Sequence, residues 1–75
     1  MKWYKIKNVW WPCKLLESLE VGHEVATMEV YDDARTAMNV EVTELKPFEK
    51  LARIPRSRTA EWRRAYERAM AEYEN

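Results

Sequence analysis

Glycine is nearly missing from this 75-residue chain: Gly22 is the only one, and Cys13 and His23 are equally solitary. One glycine leaves no Gly-rich loop to cradle a phosphate. One cysteine cannot close an internal disulfide and points to a reducing compartment. Cys13 and His23 together fall short of the roughly four ligands a structural zinc requires, and no orienting partner marks them as a nucleophile and its base. Burial on a strand is the expected role of Cys13. The adjacent Asp32 and Asp33 are expected as turn formers rather than as a cation site. No apolar run approaches the ~18 residues of a membrane-crossing helix. Lys2, Lys5 and Lys7 break up the N-terminal stretch, so no secretory leader is expected. With no catalytic, metal or cofactor constellation, the expectation is a binding module and not an enzyme.

Net charge is lacking too, because 13 Lys and Arg stand against 13 Asp and Glu. The balance hides a segregation. Residues 1–14 carry +4, residues 15–45 carry −7, residues 46–68 carry +5 and the last seven carry −2, which sums to zero. If folding brings the first and third segments together, one face is basic, and the local field rather than the net charge governs encounter with a polyanion. A mixed, solvated surface is the plain alternative.

What the chain does have is aromatic bulk: four Trp, four Tyr and one Phe. This suits a small single domain, residues 1–75, whose core is thin for its surface. "MKWYKIKN" alternates at the strand period of two, "PCKLLESLE" is a second strand, and Gly22 suits a hairpin turn after it. "EVATMEVYD" and "MNVEV" follow as strands, separated by the turn residues Asp32 and Asp33. A small barrel over about residues 2–43 is predicted. Pro47 limits "ELKPFEKL" to a short helical turn. "RIPRSR" is a basic linker, and Thr59 caps a helix over about 60–73. On that helix Trp62, Ala65, Tyr66, Ala69, Met70 and Tyr73 form one apolar stripe.

The pair Trp10–Trp11 against Pro12 raises the functional question. Neighbours on a strand face opposite ways, so one of the two looks outward. The order strand, "VWWP", strand, hairpin, "VYDD", strand, "ELKPFEK", basic linker, "EWRRAYERAM" resembles the PWWP family of Tudor-like chromatin barrels. Val9 takes the place of the first proline of its signature. The resemblance covers nearly the whole chain. It implies a mainly β fold, a five-stranded SH3/Tudor-like barrel followed by a short helical turn and one long C-terminal helix, in a nuclear protein that binds nucleosomes. Partners would be nucleosomal DNA, a histone tail peptide with or without lysine methylation, and other domains of a larger chromatin protein.

By that resemblance Trp10 packs inside and Trp11 walls a methyl-lysine cage, where a quaternary ammonium gains roughly 0.5–2 kcal/mol per ring. Asn8 and Val30 stand where the family has further cage aromatics, so the cage is partly degraded. Ile6 holds an apolar pocket position, Tyr4 or Trp3 is placed to substitute for a lost wall, and Asp33 matches an acid that contacts peptide. Lys5 and Lys7, flanking Ile6, and Arg56 and Arg58, before the helix, match DNA-backbone contacts. The alternative function is a scaffold domain that binds an unmethylated peptide motif.

Overall fold

In a computed structural model, which describes residues 1–17 and 24–74, the chain is mainly β. Five antiparallel strands curl into a half-barrel sheet that ends in one C-terminal helix. The strands are β1 (Lys2–Ile6), β2 (Val9–Leu15), β3 (Val25–Val30), β4 (Ala37–Glu41) and β5 (Leu45–Pro47), and the helix is α1 (Ala60–Tyr73). Their spatial order is β4-β3-β2-β1-β5, so the last strand returns to pair with the first. The hairpin turn expected at Gly22 and His23 lies outside the described residues.

The first hairpin is tighter than its alternation suggests. Ile6 pairs with Val9, which leaves Lys7 and Asn8 as a two-residue loop, and both have positive φ, 48° and 66°. A primed turn demands this because its twist matches that of the flanking strands. Lys7 therefore sits in the turn and does not continue the β1 face that carries Lys5. The second strand correspondingly starts at Val9 and takes in both tryptophans.

Pro12 occupies an inner strand, where a missing N–H would ordinarily cost a ladder bond. Its carbonyl accepts from the Tyr31 N–H at 3.0 Å. N–H and C=O of one strand residue point to the same edge, so the missing donor faces β3. There the ladder reaches no further than Cys13 opposite Val30, and the proline costs little.

Side-chain alternation sends two sets of residues to opposite faces. On the concave face Cys13, Ala26, Met28, Val30 and Val40 form one buried cluster, flanked by Tyr4, Ile6, Trp11 and Leu45. On the other, Trp3, Tyr31 and Phe48 meet Trp62, Ala65, Tyr66 and Ala69 of α1. Thr59 caps that helix by accepting from the Trp62 N–H at 3.1 Å, as its position in the sequence implies. Met70 is only half-buried and Tyr73 exposed, so the apolar stripe buries its first three turns best. The short helical turn falls at Val42–Glu44, before β5 and not after it. Pro47 ends an edge strand instead of interrupting a helix, a place that needs no donor.

The strained turn yields the first prediction. A lysine in the left-handed region lacks the local side-chain bonding that lets Asn tolerate it, and Asn-Gly is the preferred pair for this loop. Replacing Lys7 by Asn and Asn8 by Gly together should stabilise the domain by about 1 kcal/mol. At this size that raises the thermal midpoint by roughly 4–8 °C; a lower midpoint would contradict the turn geometry.

Candidate functional site

Trp10 and Trp11 do point to opposite faces, but the roles expected of them change. Trp10 is not a core residue. It lies half-buried on the helix side, with the Lys46 ammonium 4.3 Å and the Lys5 ammonium 6.0 Å from its ring centroid. The buried tryptophan of this face is Trp3, stacked in register with Trp62 at 6.2 Å and in contact with Phe48 at 4.8 Å. Trp3 therefore supplies no cage wall.

Among the concave surfaces of the described residues, two flank the Trp10–Trp11 pair and bear on the expected site. The first is a cleft of about 270 Å³ floored by Trp3, Trp10 and Trp62 and walled by Pro47, Leu51 and Pro55. Lys46, Arg53 and Arg58 stand at its rim with the single acid Glu49. Lys46 reaches it because it faces Trp3 across β5 and β1. The Arg58 guanidinium lies 5.5 Å from the Trp62 ring, and a turn in which the Arg58 N–H donates to the Pro55 carbonyl folds the side chain inward. Arg58 is thus half-buried and held by the aromatic, not stretched out from an extended linker, while Arg56 is exposed.

The second surface is the cage position, a pocket of about 330 Å³ lined by Ile6, Lys7, Val9, Trp11, Val30, Asp32 and Glu61. The residues expected at the pocket divide here. Ile6, Trp11 and Val30 come together. Asn8 and Asp33 are not among the lining residues, and Tyr4 lines a neighbouring groove with Trp10 and Glu44. Trp11 is the only aromatic wall. Val30 is 1 % exposed and belongs to the core, so a phenylalanine there would overpack the sheet instead of rebuilding a cage. Both acids are already engaged. Asp32 accepts from the Thr36 N–H at 2.9 Å and its hydroxyl at 2.8 Å, and Glu61 accepts from the Asp33 N–H at 3.1 Å.

Asp33 has a different task from peptide contact. Its carboxylate accepts from Arg64 at 2.5 and 3.2 Å and from Arg68 at 2.9 Å. Arg68 also donates to the Tyr31 carbonyl at 3.1 Å, and the buried Tyr31 hydroxyl donates to Glu72. These bonds latch α1 to the end of β3. Burial, and then the Glu72 hydrogen bond, push the Tyr31 phenol above its ordinary range. Burial likewise raises the Cys13 thiol to about 11. Cys13 is fully buried and its Sγ–H donates to the Lys2 carbonyl at 3.3 Å, so it remains a protonated core side chain at neutral pH. Among the described residues no three metal-ligating side chains gather.

Among the described residues, ion pairs engage Lys14, Arg35, Lys50, Arg64 and Arg68. No such pair engages Lys5, Lys7, Lys46, Arg53, Arg56 or Arg58. Uncompensated positive charge therefore lies in the first strand and its turn, on β5 and in the linker, and Lys2 and the exposed Arg63 of α1 also stand outside those pairs. Lys46 escapes the sequence reading because β5, three residues long, does, while Arg53 belongs to the basic linker and only the fold brings it to the cleft. No protein-family model, curated protein or solved structure matches the chain.

The latch carries a pH signature. The hydrogen bonds from Arg64, then Arg68, hold the Asp33 carboxyl at about 2, below the ~3.9 of a free aspartate. A depressed acid contributes stability that is complete above the unfolded value and is lost as pH falls through the folded one. The thermal midpoint should therefore fall between about pH 4 and pH 2, and Asp33→Asn should remove that component of the fall. Carboxyl chemical shifts check the assignment directly, and an Asp33 midpoint near 4 would contradict the latch.

Proposed function

We propose that this chain is a chromatin-binding module of the PWWP type, acting in the nucleus without catalysis, which contacts nucleosomal DNA through the basic surface around Trp10. One observation carries the reading. The two positive segments, far apart in sequence, meet there: Lys5 from β1 and Lys46 from β5 share one indole, with Arg53 and Arg58 across the cleft. Among the described residues their charges are not spent on ion pairs, which leaves them available to phosphates. The "VWWP" strand, the curled five-stranded sheet and the closing helix agree with the same reading. The partners it implies are nucleosomal DNA, a histone tail, and other domains of a larger chromatin protein.

The cage-position pocket takes a minor part. One indole offers a quaternary ammonium roughly 0.5–2 kcal/mol, so a free trimethyllysine peptide binds in the millimolar range or more weakly, and the tail adds little without DNA.

Phosphate contacts read no base order, so duplexes of different sequence should bind alike. Four contacts, from Lys5, Lys46, Arg53 and Arg58, give a log–log salt slope of about −3.6. Lys5→Ala with Lys46→Ala should flatten it by about two units. Titration of labelled duplexes across a salt series measures this. An unchanged slope in the double variant, or no binding at low salt, would leave the basic surface without this function.

A further inference from the structure

The Trp3–Trp10–Trp62 cleft has a property that a phosphate surface does not require: an apolar recess. Trp3, Trp10, Trp62, Pro47, Leu51 and Pro55 supply an apolar lining, beside the cations Lys46, Arg53 and Arg58. The exposed aromatic faces are already covered, since Lys46 lies on Trp10, Arg58 lies on Trp62, and Tyr66 stacks against Trp62 at 5.4 Å. A flexible side chain can still enter from above.

A second observation concerns charge. The Nε of Arg58 is buried and has no hydrogen-bond partner among the described residues. Such a charged donor costs free energy until an acceptor reaches it, and a carboxylate is the acceptor that guanidinium geometry suits best. Lys46 and Arg53 stand on the same rim, and Glu49 is the only acid there. Apolar recess, cationic rim and unpartnered guanidinium together describe a ligand with an apolar side chain flanked by carboxylates.

We propose that this cleft binds a short acidic peptide segment of a partner protein, inserting one apolar side chain between Trp10 and Leu51 while a neighbouring carboxylate accepts from Arg58. The site shares Lys46, Arg53 and Arg58 with the proposed DNA surface, but its apolar recess is a feature that the DNA reading does not use.

The test uses the full chain, ¹⁵N-labelled, and three synthetic peptides: Asp-Asp-Leu-Asp-Asp, Asp-Asp-Ser-Asp-Asp and Lys-Lys-Leu-Lys-Lys, each with blocked ends. The leucine peptide should shift the indole signals of Trp10 and Trp62 and the amides of Lys46, Arg53 and Arg58, and should saturate them. The serine peptide should bind about tenfold more weakly, the loss expected for an unburied leucine side chain, and the basic peptide should not bind. Arg58→Gln should weaken the leucine peptide about tenfold. If that variant does not fold, the exposed Arg53→Gln should still weaken it severalfold. Equal binding of the leucine and serine peptides would show a mere charge effect and overturn the proposal while leaving the DNA reading intact. Absence of shifts at the cleft would overturn it as well.

Discussion

Trp62 reaches from the first turn of α1 to the backbone of β2, where its indole N–H donates to the Trp10 carbonyl at 2.8 Å. The same ring stacks on Trp3 from β1 and on Tyr66 from the next helical turn, and Tyr66 in turn accepts from the Leu51 N–H at 2.9 Å. A buried indole needs that partner for its N–H, so strand and helix are fixed relative to each other at one point. Much else follows from the point. It sets where the linker must run and leaves Trp10 at the surface as a floor. Arg58, only four residues before Trp62, is thereby held against the ring, with Arg53 on the same rim. A small domain has few independent cores, and here one aromatic stack joins the helix to the sheet and shapes the cleft beside it.

The opposite orientation of Trp10 and Trp11 then divides the molecule's two surfaces. On the helix side, Trp10 gathers the cations of β1 and β5. On the concave side, Trp11 stands over the half-barrel core with aliphatic neighbours and carboxylates that already hold the Asp32–Thr36 turn and the helix latch. Acids tied into structural bonds have little left to offer a cationic guest, whereas the cations around Trp10 make no ion pair among the described residues. The division of labour we propose, with DNA contact dominant and the tail pocket subordinate, rests on that difference.

Most of the framework was legible from sequence because its signals are local. Thr59 and the stripe from Trp62 to Ala69 mark the helix through spacing alone, and alternation marks β1, β3 and β4. What escaped depends on pairing. The Lys7–Asn8 turn carries no glycine, so its positive φ values emerge only from the register of Ile6 opposite Val9. The strand β5 is three residues long and ends in proline, too short to show a period. Without β5, Lys46 has no address and Trp10 reads as a core residue. Asp33 looked like a peptide contact or a turn former because its partners Arg64 and Arg68 lie 31 and 35 residues away, beyond any local pattern. Family resemblance names Ile6, Trp11 and Val30, which line one pocket, while the burial of Val30 and the hydrogen bonds that engage Asp32 and Glu61 depend on tertiary packing that no local pattern shows.

The central claim is that Lys5 of β1 and residues 46–58 form one binding surface around Trp10. Amide and indole shifts of the ¹⁵N-labelled chain, followed as a short DNA duplex is added at low salt, test it most directly. The account predicts that Lys5, Lys46, Arg53, Arg58 and the Trp10 indole respond together along a single isotherm. Shifts confined to the Trp11 pocket, or separate isotherms for the two segments, would contradict it.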